Sequence, residues 1–189
     1  YSVLARKTGT STTITTDDFT ANQNLLILMD THSGSSPATA CYQFNEDSDN
    51  DYCNRFSTNG GSDNTTQVIK NRILNGSGYA NREGFAVGFV GDIPDQEKLV
   101  TSFACESGGD GANTPDRREI SGKYVQTGAG ITNATLFEQD GNGWGASSEI
   151  VVLGTVAGAN TSFEQLDQVS GDGTSDTMDT GTFTAKKYL

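Results

Sequence analysis

The sequence predicts an all-β protein: an antiparallel β-sandwich of jelly-roll type, built from about ten short strands with no substantial helix. Three observations carry this reading. Short β-branched or alternating apolar runs recur at intervals of roughly eight to twelve residues, separated by turn residues. Glycine is abundant at 23 residues, proline scarce at 3, and charged residues make up only 19% of the chain. Ser, Thr, Asn and Asp fill the polar positions, and with Gly they serve turns while offering little to helices. Finally, no stretch keeps a convincing amphipathic helical period.

In chain order, Ser11–Thr16 is Thr-rich and β-branched, a strand with one wet face. Leu25–Asp30 (LLILMD) is a six-residue apolar run, too short for a helix and read as a strand buried on both faces. Thr39–Asn45 and Tyr52–Phe56 alternate, and the acidic loop NEDSDND between them suggests a hairpin. Gln67–Leu74 reads as a bent strand closed by Asn75-Gly76. Gly84–Val90 sets Phe85, Val87 and Phe89 on one face and Gly84, Ala86 and Gly88 on the other, so another sheet or chain is expected to approach the small-residue side closely. Lys98–Cys105, Arg118–Val125, Ile131–Glu138 and Glu149–Leu153 complete the series.

A chain of 189 residues is long enough for one domain with a proper core. The module is expected to span residues 1–154, followed by a linker of small residues at 155–163 and a C-terminal segment at 164–189. That last segment holds an internal echo. Gly9–Leu25 (GTSTTITTDDFTANQNL) returns as Gly173–Leu189 (GTSDTMDTGTFTAKKYL), with Phe19 matching Phe183, Ala21 matching Ala185, Leu25 matching Leu189 and Ile14 facing Met178. A repeat of one strand points to a tandem array or to strand exchange between subunits. Tyr1 is preceded by neither Met nor a signal-like segment, so a leader is expected to have been removed or the numbering to begin inside a longer polypeptide.

The formal charge of −12 repels phosphate backbones and anionic lipid, which argues against nucleic acid and membrane partners. No apolar run approaches the roughly 20 residues that span a bilayer. The three cysteines, Cys41, Cys53 and Cys105, lack metal-ligand spacing. If the two arms around the acidic loop form a hairpin, Cys41 and Cys53 face each other and can form a disulfide in an extracellular or virion setting; two reduced, packed thiols are the alternative. Cys105 reads as a buried thiol.

Asp47, Asp49 and Asp51 have the i, i+2, i+4 spacing of the first ligands of many calcium loops. The turn glycine and distal Glu are missing, so the choice is between a calcium site and a solvated acidic tip. Trp144 in GNGWG and Tyr79 in SGYAN stand on turns, where an aromatic ring either stacks on a sugar or folds back over the end of the core. His32 is the single histidine and is expected to be a loop residue. Glu119 and Glu149 are the acids set within strand-like segments, but no motif surrounds them, so no enzyme is expected and no cofactor beyond calcium.

Several segments resemble a loosely defined group of uncharacterised small β-sandwich structural proteins of tailed-bacteriophage virions, of fibre or capsid-decoration type. They are Tyr42–Asp63, Gln96–Val100, Arg117–Tyr124 and Ile131–Gly154. The resemblance implies a symmetric, non-enzymatic virion or extracellular component whose partners are copies of itself or other virion or fibre proteins. The alternative expectation is a carbohydrate-binding adhesin or receptor-binding domain contacting a surface glycan through Trp144 and Tyr79, with calcium at Asp47, Asp49 and Asp51.

Overall fold

The computed structural model describes residues 2–20, 23–70, 72–74, 80–108, 111–145 and 148–154. Among them the chain is all-β, with twelve strands: β1 (Ser2–Gly9), β2 (Thr13–Thr15), β3 (Gln23–His32), β4 (Ala40–Phe44), β5 (Tyr52–Thr58), β6 (Asn64–Lys70), β7 (Ile73–Leu74), β8 (Glu83–Asp92), β9 (Lys98–Glu106), β10 (Asp116–Tyr124), β11 (Ala134–Glu138) and β12 (Ser148–Gly154). They form a large sheet in the order β1-β12-β3-β8-β9-β10-β5-β6 and a small sheet in the order β2-β11-β4-β7. The sandwich is the predicted one, and its two sheets are compatible with the jelly-roll type. The linker and C-terminal segment, 155–189, lie outside the described residues, as does Tyr79.

Period-two alternation builds the interior. In β9, Lys98, Val100, Ser102 and Ala104 are buried while Leu99, Thr101, Phe103 and Cys105 are exposed. In β3, Leu25, Ile27 and Met29 point into the core, and Leu26 and Leu28 lie half-buried on the opposite face. The LLILMD run is therefore covered on one face only, which corrects the expectation of burial on both.

The small sheet packs over the centre of the large one through aromatic side chains of β4. Tyr42 and Phe44 are fully buried, and a carbon placed at Gly88 of β8 would lie 2.7 Å from the Tyr42 hydroxyl. The small-residue face of β8 is thus the close-approach face that the sequence predicts. On β10, a side chain at Gly122 would meet Ile73 of β7 at 2.9 Å. Phe44, Tyr52 and Tyr124 cluster below the acidic loop, with the Tyr52 and Tyr124 rings stacked at 4.7 Å. Burial pushes both phenols well above their ordinary titration range.

Three expectations about connections are corrected. β4 belongs to the small sheet and β5 to the large one, so the acidic segment is a crossover between sheets rather than a hairpin turn. The predicted bent strand 67–74 is two strands, β6 and β7, again one in each sheet. β1 was not expected at all: Arg6 and Lys7 interrupt its apolar pattern, and the register with β12 shifts between Val3 and Ala5.

Candidate interaction surface

The inner face of the large sheet is taken up by the core; among the described residues none covers its outer face. Cross-strand register sets Val3, Leu153, Leu26 and Phe89 in one row across β1, β12, β3 and β8. The row continues into Thr101, Ser121 and Arg55 on β9, β10 and β5. One step along the strands, Val151, Leu28, Val87 and Phe103 lie side by side on β12, β3, β8 and β9. Five of the large apolar side chains that stand exposed among the described residues belong to this face: Val3 (62%), Phe85 (49%), Phe89 (51%), Leu99 (63%) and Phe103 (50%).

With strands about 4.8 Å apart and about 3.4 Å per residue, an apolar zone five strands wide and five residues long covers about 400 Å², and the whole eight-strand face about 900 Å². The zone is framed by charges that neutralise one another. Arg6 pairs with Glu149, Lys123 with Glu97 at 3.0 Å, Arg55 with Asp63 at 3.5 Å and Arg117 with Glu119 at 3.9 Å. The partner carboxylates hold the Arg6 guanidinium and Lys123 ammonium above their ordinary ranges. The pairs cancel, and Asp30 and Glu83, which share this face with Phe85, leave it with a small negative charge.

Beside the protruding aromatics the face is hollowed. Thr101, Ser121 and Ser57 are small, and the depression over them, about 260 Å³, is walled by Phe103, Arg55, Asp63 and Glu119. A ridge and a hollow thus lie next to each other on one surface.

The residues singled out from sequence are distributed elsewhere. Trp144 is 5% exposed and lines the end of the core, which corrects the expectation of a sugar-stacking platform there. Its backbone N–H donates to Thr10 O at 2.9 Å, and the turn before it folds over the sandwich because Glu138, itself buried, accepts the backbone N–H groups of Asp140, Asn142 (2.7 Å) and Gly143 (3.1 Å). Gly143 has φ +74°, a conformation that glycine adopts without strain.

Asp47, Asp49 and Asp51 do not converge. Asp47 accepts from Asp49 N at 2.8 Å and from the Tyr124 hydroxyl at 3.0 Å, and Asp51 accepts from Gln126 Nε2. Among the described residues no group of three or more His, Cys, Asp or Glu side chains is arranged to hold a metal.

Cys41 and Cys53 are both free thiols on different sheets, Cys41 opposite Phe137 and Cys53 opposite Lys123, which corrects the expected disulfide. Burial pushes the Cys41 thiol up to about 12. Cys105 is exposed, not buried, because it continues the outward series of Leu99, Thr101 and Phe103. His32 is the last residue of β3, with Nε2 3.4 Å from a Glu83 carboxylate oxygen. Glu119 and Glu149 stand on β10 and β12, four strand spacings and about 19 Å apart, too far for the paired carboxylates of glycoside hydrolysis.

Fold and surface together define, among the described residues, a two-sheet β-sandwich module with a partly apolar outer face that they leave uncovered. Compared with protein-family models, with curated proteins and with solved structures, the chain finds no match.

Proposed function

We propose that this chain is a non-enzymatic structural module that assembles with copies of itself through the outer face of its large sheet, as a component of a virion or an extracellular fibre. The observation that carries the reading is the exposure of Phe85, Phe89, Leu99 and Phe103 on one face. Exposed apolar patches larger than a few hundred Å² mark interaction sites in most soluble proteins.

A second copy is the occupant that fits. The face, at about 900 Å², matches the roughly 800 Å² per partner of a standard interface. A two-fold contact requires each subunit to offer a surface and its complement, which the adjacent ridge at Phe89 and hollow over Thr101 and Ser121 supply. The paired charges around them form a polar rim. Light scattering at matched concentrations tests this. The full chain is expected to self-associate and the Phe89→Glu/Phe103→Glu variant to be a folded monomer; equal masses for the two would refute it.

A second reading has one observation in its favour. The hollow brings an exposed aromatic ring, Phe103, together with Arg55, Asp63, Glu119 and three hydroxyl side chains, a mixture suited to a pyranose with its apolar face and its hydroxyls. Calorimetric titration with a panel of oligosaccharides, with binding lost in Phe103→Ala, would favour this glycan-binding role.

A further inference from the structure

We propose that the seat of β2 in the small sheet is also the docking place for residues 173–189 of a second copy. The inference takes from the assembly reading only the proximity of neighbouring copies; its warrant is the pattern of matches between Gly9–Leu25 and Gly173–Leu189. Three buried positions of the first segment lie in or beside the seat, Ile14, Thr16 and Phe19; a fourth, Leu25, belongs to β3 and stays in the large sheet. The counterparts of the three seat positions are Met178, Thr180 and Phe183, two identical and one an apolar replacement of similar size. Every described position at which the segments differ in chemistry, such as Thr12/Asp176, Asp17/Gly181, Asp18/Thr182 and Asn24/Tyr188, is exposed or half-exposed. A chance echo of Ser and Thr would have no reason to respect the inside and outside of this fold.

The seat itself can receive such a segment. β2 is an edge strand of three residues, and the residues flanking it are held to β11 and the segment before it through backbone bonds that any sequence can make: Thr16 N to Ala134 O at 3.0 Å, Phe19 N to Thr132 O at 2.7 Å and Glu138 N to Thr12 O at 2.7 Å. The buried side-chain bond from Ala134 N to Thr16 Oγ1 at 3.1 Å would be retained by Thr180, while the part-buried bond from Asn133 Nδ2 to Asp18 Oδ1 at 3.0 Å would be given up at Thr182. Thr135, whose hydroxyl meets that of Thr15 at 2.9 Å, would donate to Asp179 instead. A segment displaced from Thr10 onward would remain as a loop between β1 and β3, both of which are held in the large sheet.

The incoming segment is the less acidic of the two, though the exchange gives up the exposed Lys7–Asp17 pair at 3.0 Å. Gly9–Leu25 carries Asp17 and Asp18 and no cation, a charge of −2, whereas Gly173–Leu189 balances Asp176 and Asp179 with Lys186 and Lys187, a charge of 0, on a chain of −12. The 18 residues between Gly154 and Gly173 (173 − 154 − 1) can extend about 60 Å, enough to reach a neighbouring subunit. Addition of an extended segment to a sheet edge is an established mode of recognition.

The test uses the full chain with Cys53→Ser and Cys105→Ser, carrying Thr135→Cys and Asp179→Cys, under mild oxidation at high concentration. A ladder of disulfide-linked multimers joined between positions 135 and 179 is expected, kept by Phe183→Leu and lost with Phe183→Asp. The proposal is overturned if the link closes only within single chains. It is equally overturned if no link forms while the control pair Thr15→Cys/Thr135→Cys, which reports the folded seat, closes fully. Adding Phe89→Glu/Phe103→Glu separates the two readings: a ladder that persists, with no change of mass by light scattering in the reduced protein, would retain the docking and refute the outer-face contact.

Discussion

Replacing Gly88 by Ala tests how tightly the two sheets are set. The added carbon would lie 2.7 Å from the Tyr42 hydroxyl and 3.1 Å from Cζ, in a region where Tyr42 is fully buried. Overpacking of this kind costs about 1–3 kcal/mol, offset by about 0.4–1 kcal/mol because Ala restricts the unfolded chain more than Gly. The net expectation is a loss of about 1–2 kcal/mol. Tyr42→Phe alone removes a hydroxyl 3.2 Å from Ser102 Oγ and should cost about 1 kcal/mol. In the double variant the clashing hydroxyl is gone, so Gly88→Ala/Tyr42→Phe should be little worse than Tyr42→Phe, a favourable coupling of about 1–2 kcal/mol. Urea denaturation of the four proteins, compared at equal slope, measures it. Costs that add to within about 0.5 kcal/mol would show that the sheets do not meet at this pair and would refute the packing argument.

Other outcomes follow from single residues. Trp144→Ala should lose about 3–5 kcal/mol of stability in thermal or urea unfolding, because the ring is core. Glu138→Ala removes the acceptor of three backbone N–H groups and should cost about 1–3 kcal/mol, with faster proteolysis at residues 140–143. A thiol reagent should label Cys105 at once in the native protein and Cys41 only on unfolding, since Cys41 is buried and its thiol is pushed up to about 12; labelling at equal rates would contradict this. Asn59 and Arg82 hold the Asp116 carboxyl below its ordinary value. Its contribution to stability is therefore present above the unfolded value of about 4 and lost as pH falls through the lower folded value. Acid titrations of the wild type and Asp116→Asn should converge below that window.

Strand positions were legible wherever alternation was clean, as in β8 and β9, because the two faces of a strand differ in what they can bury. The close-approach face of β8 was legible as well, because its Gly and Ala side leaves room for Tyr42; that Phe85 and Phe89 would stand exposed on the other side was not. The same ambiguity hid the outer face and made Cys105 look buried. Sheet assignment was also beyond local pattern. Tyr52 closes over Phe44 from the opposite sheet, its hydroxyl accepting from Phe44 N at 2.9 Å, so two neighbouring strands share a core without sharing a ladder. The choice between paired and reduced cysteines turned on that hairpin, and with Cys41 and Cys53 on different sheets both stand as free thiols. Trp144 shows the converse: a glycine-rich turn suggests exposure, and the buried carboxylate of Glu138 that ties it down lies several residues upstream.

The adjacency of β1 and β12 has a mechanical consequence. Ser2 lies opposite Gly154, so the two ends of the module leave from the same edge of an antiparallel pair. Tension applied at these two points would load the pair one hydrogen bond at a time, peeling β1 away from Ser2 toward Gly9 as a zipper opens, instead of shearing all the bonds together. Pulled end to end, the module would yield first at β1 and at low force, with β12 still paired to β3 behind it. Gripped across its broad face, the same protein would have no such seam under load.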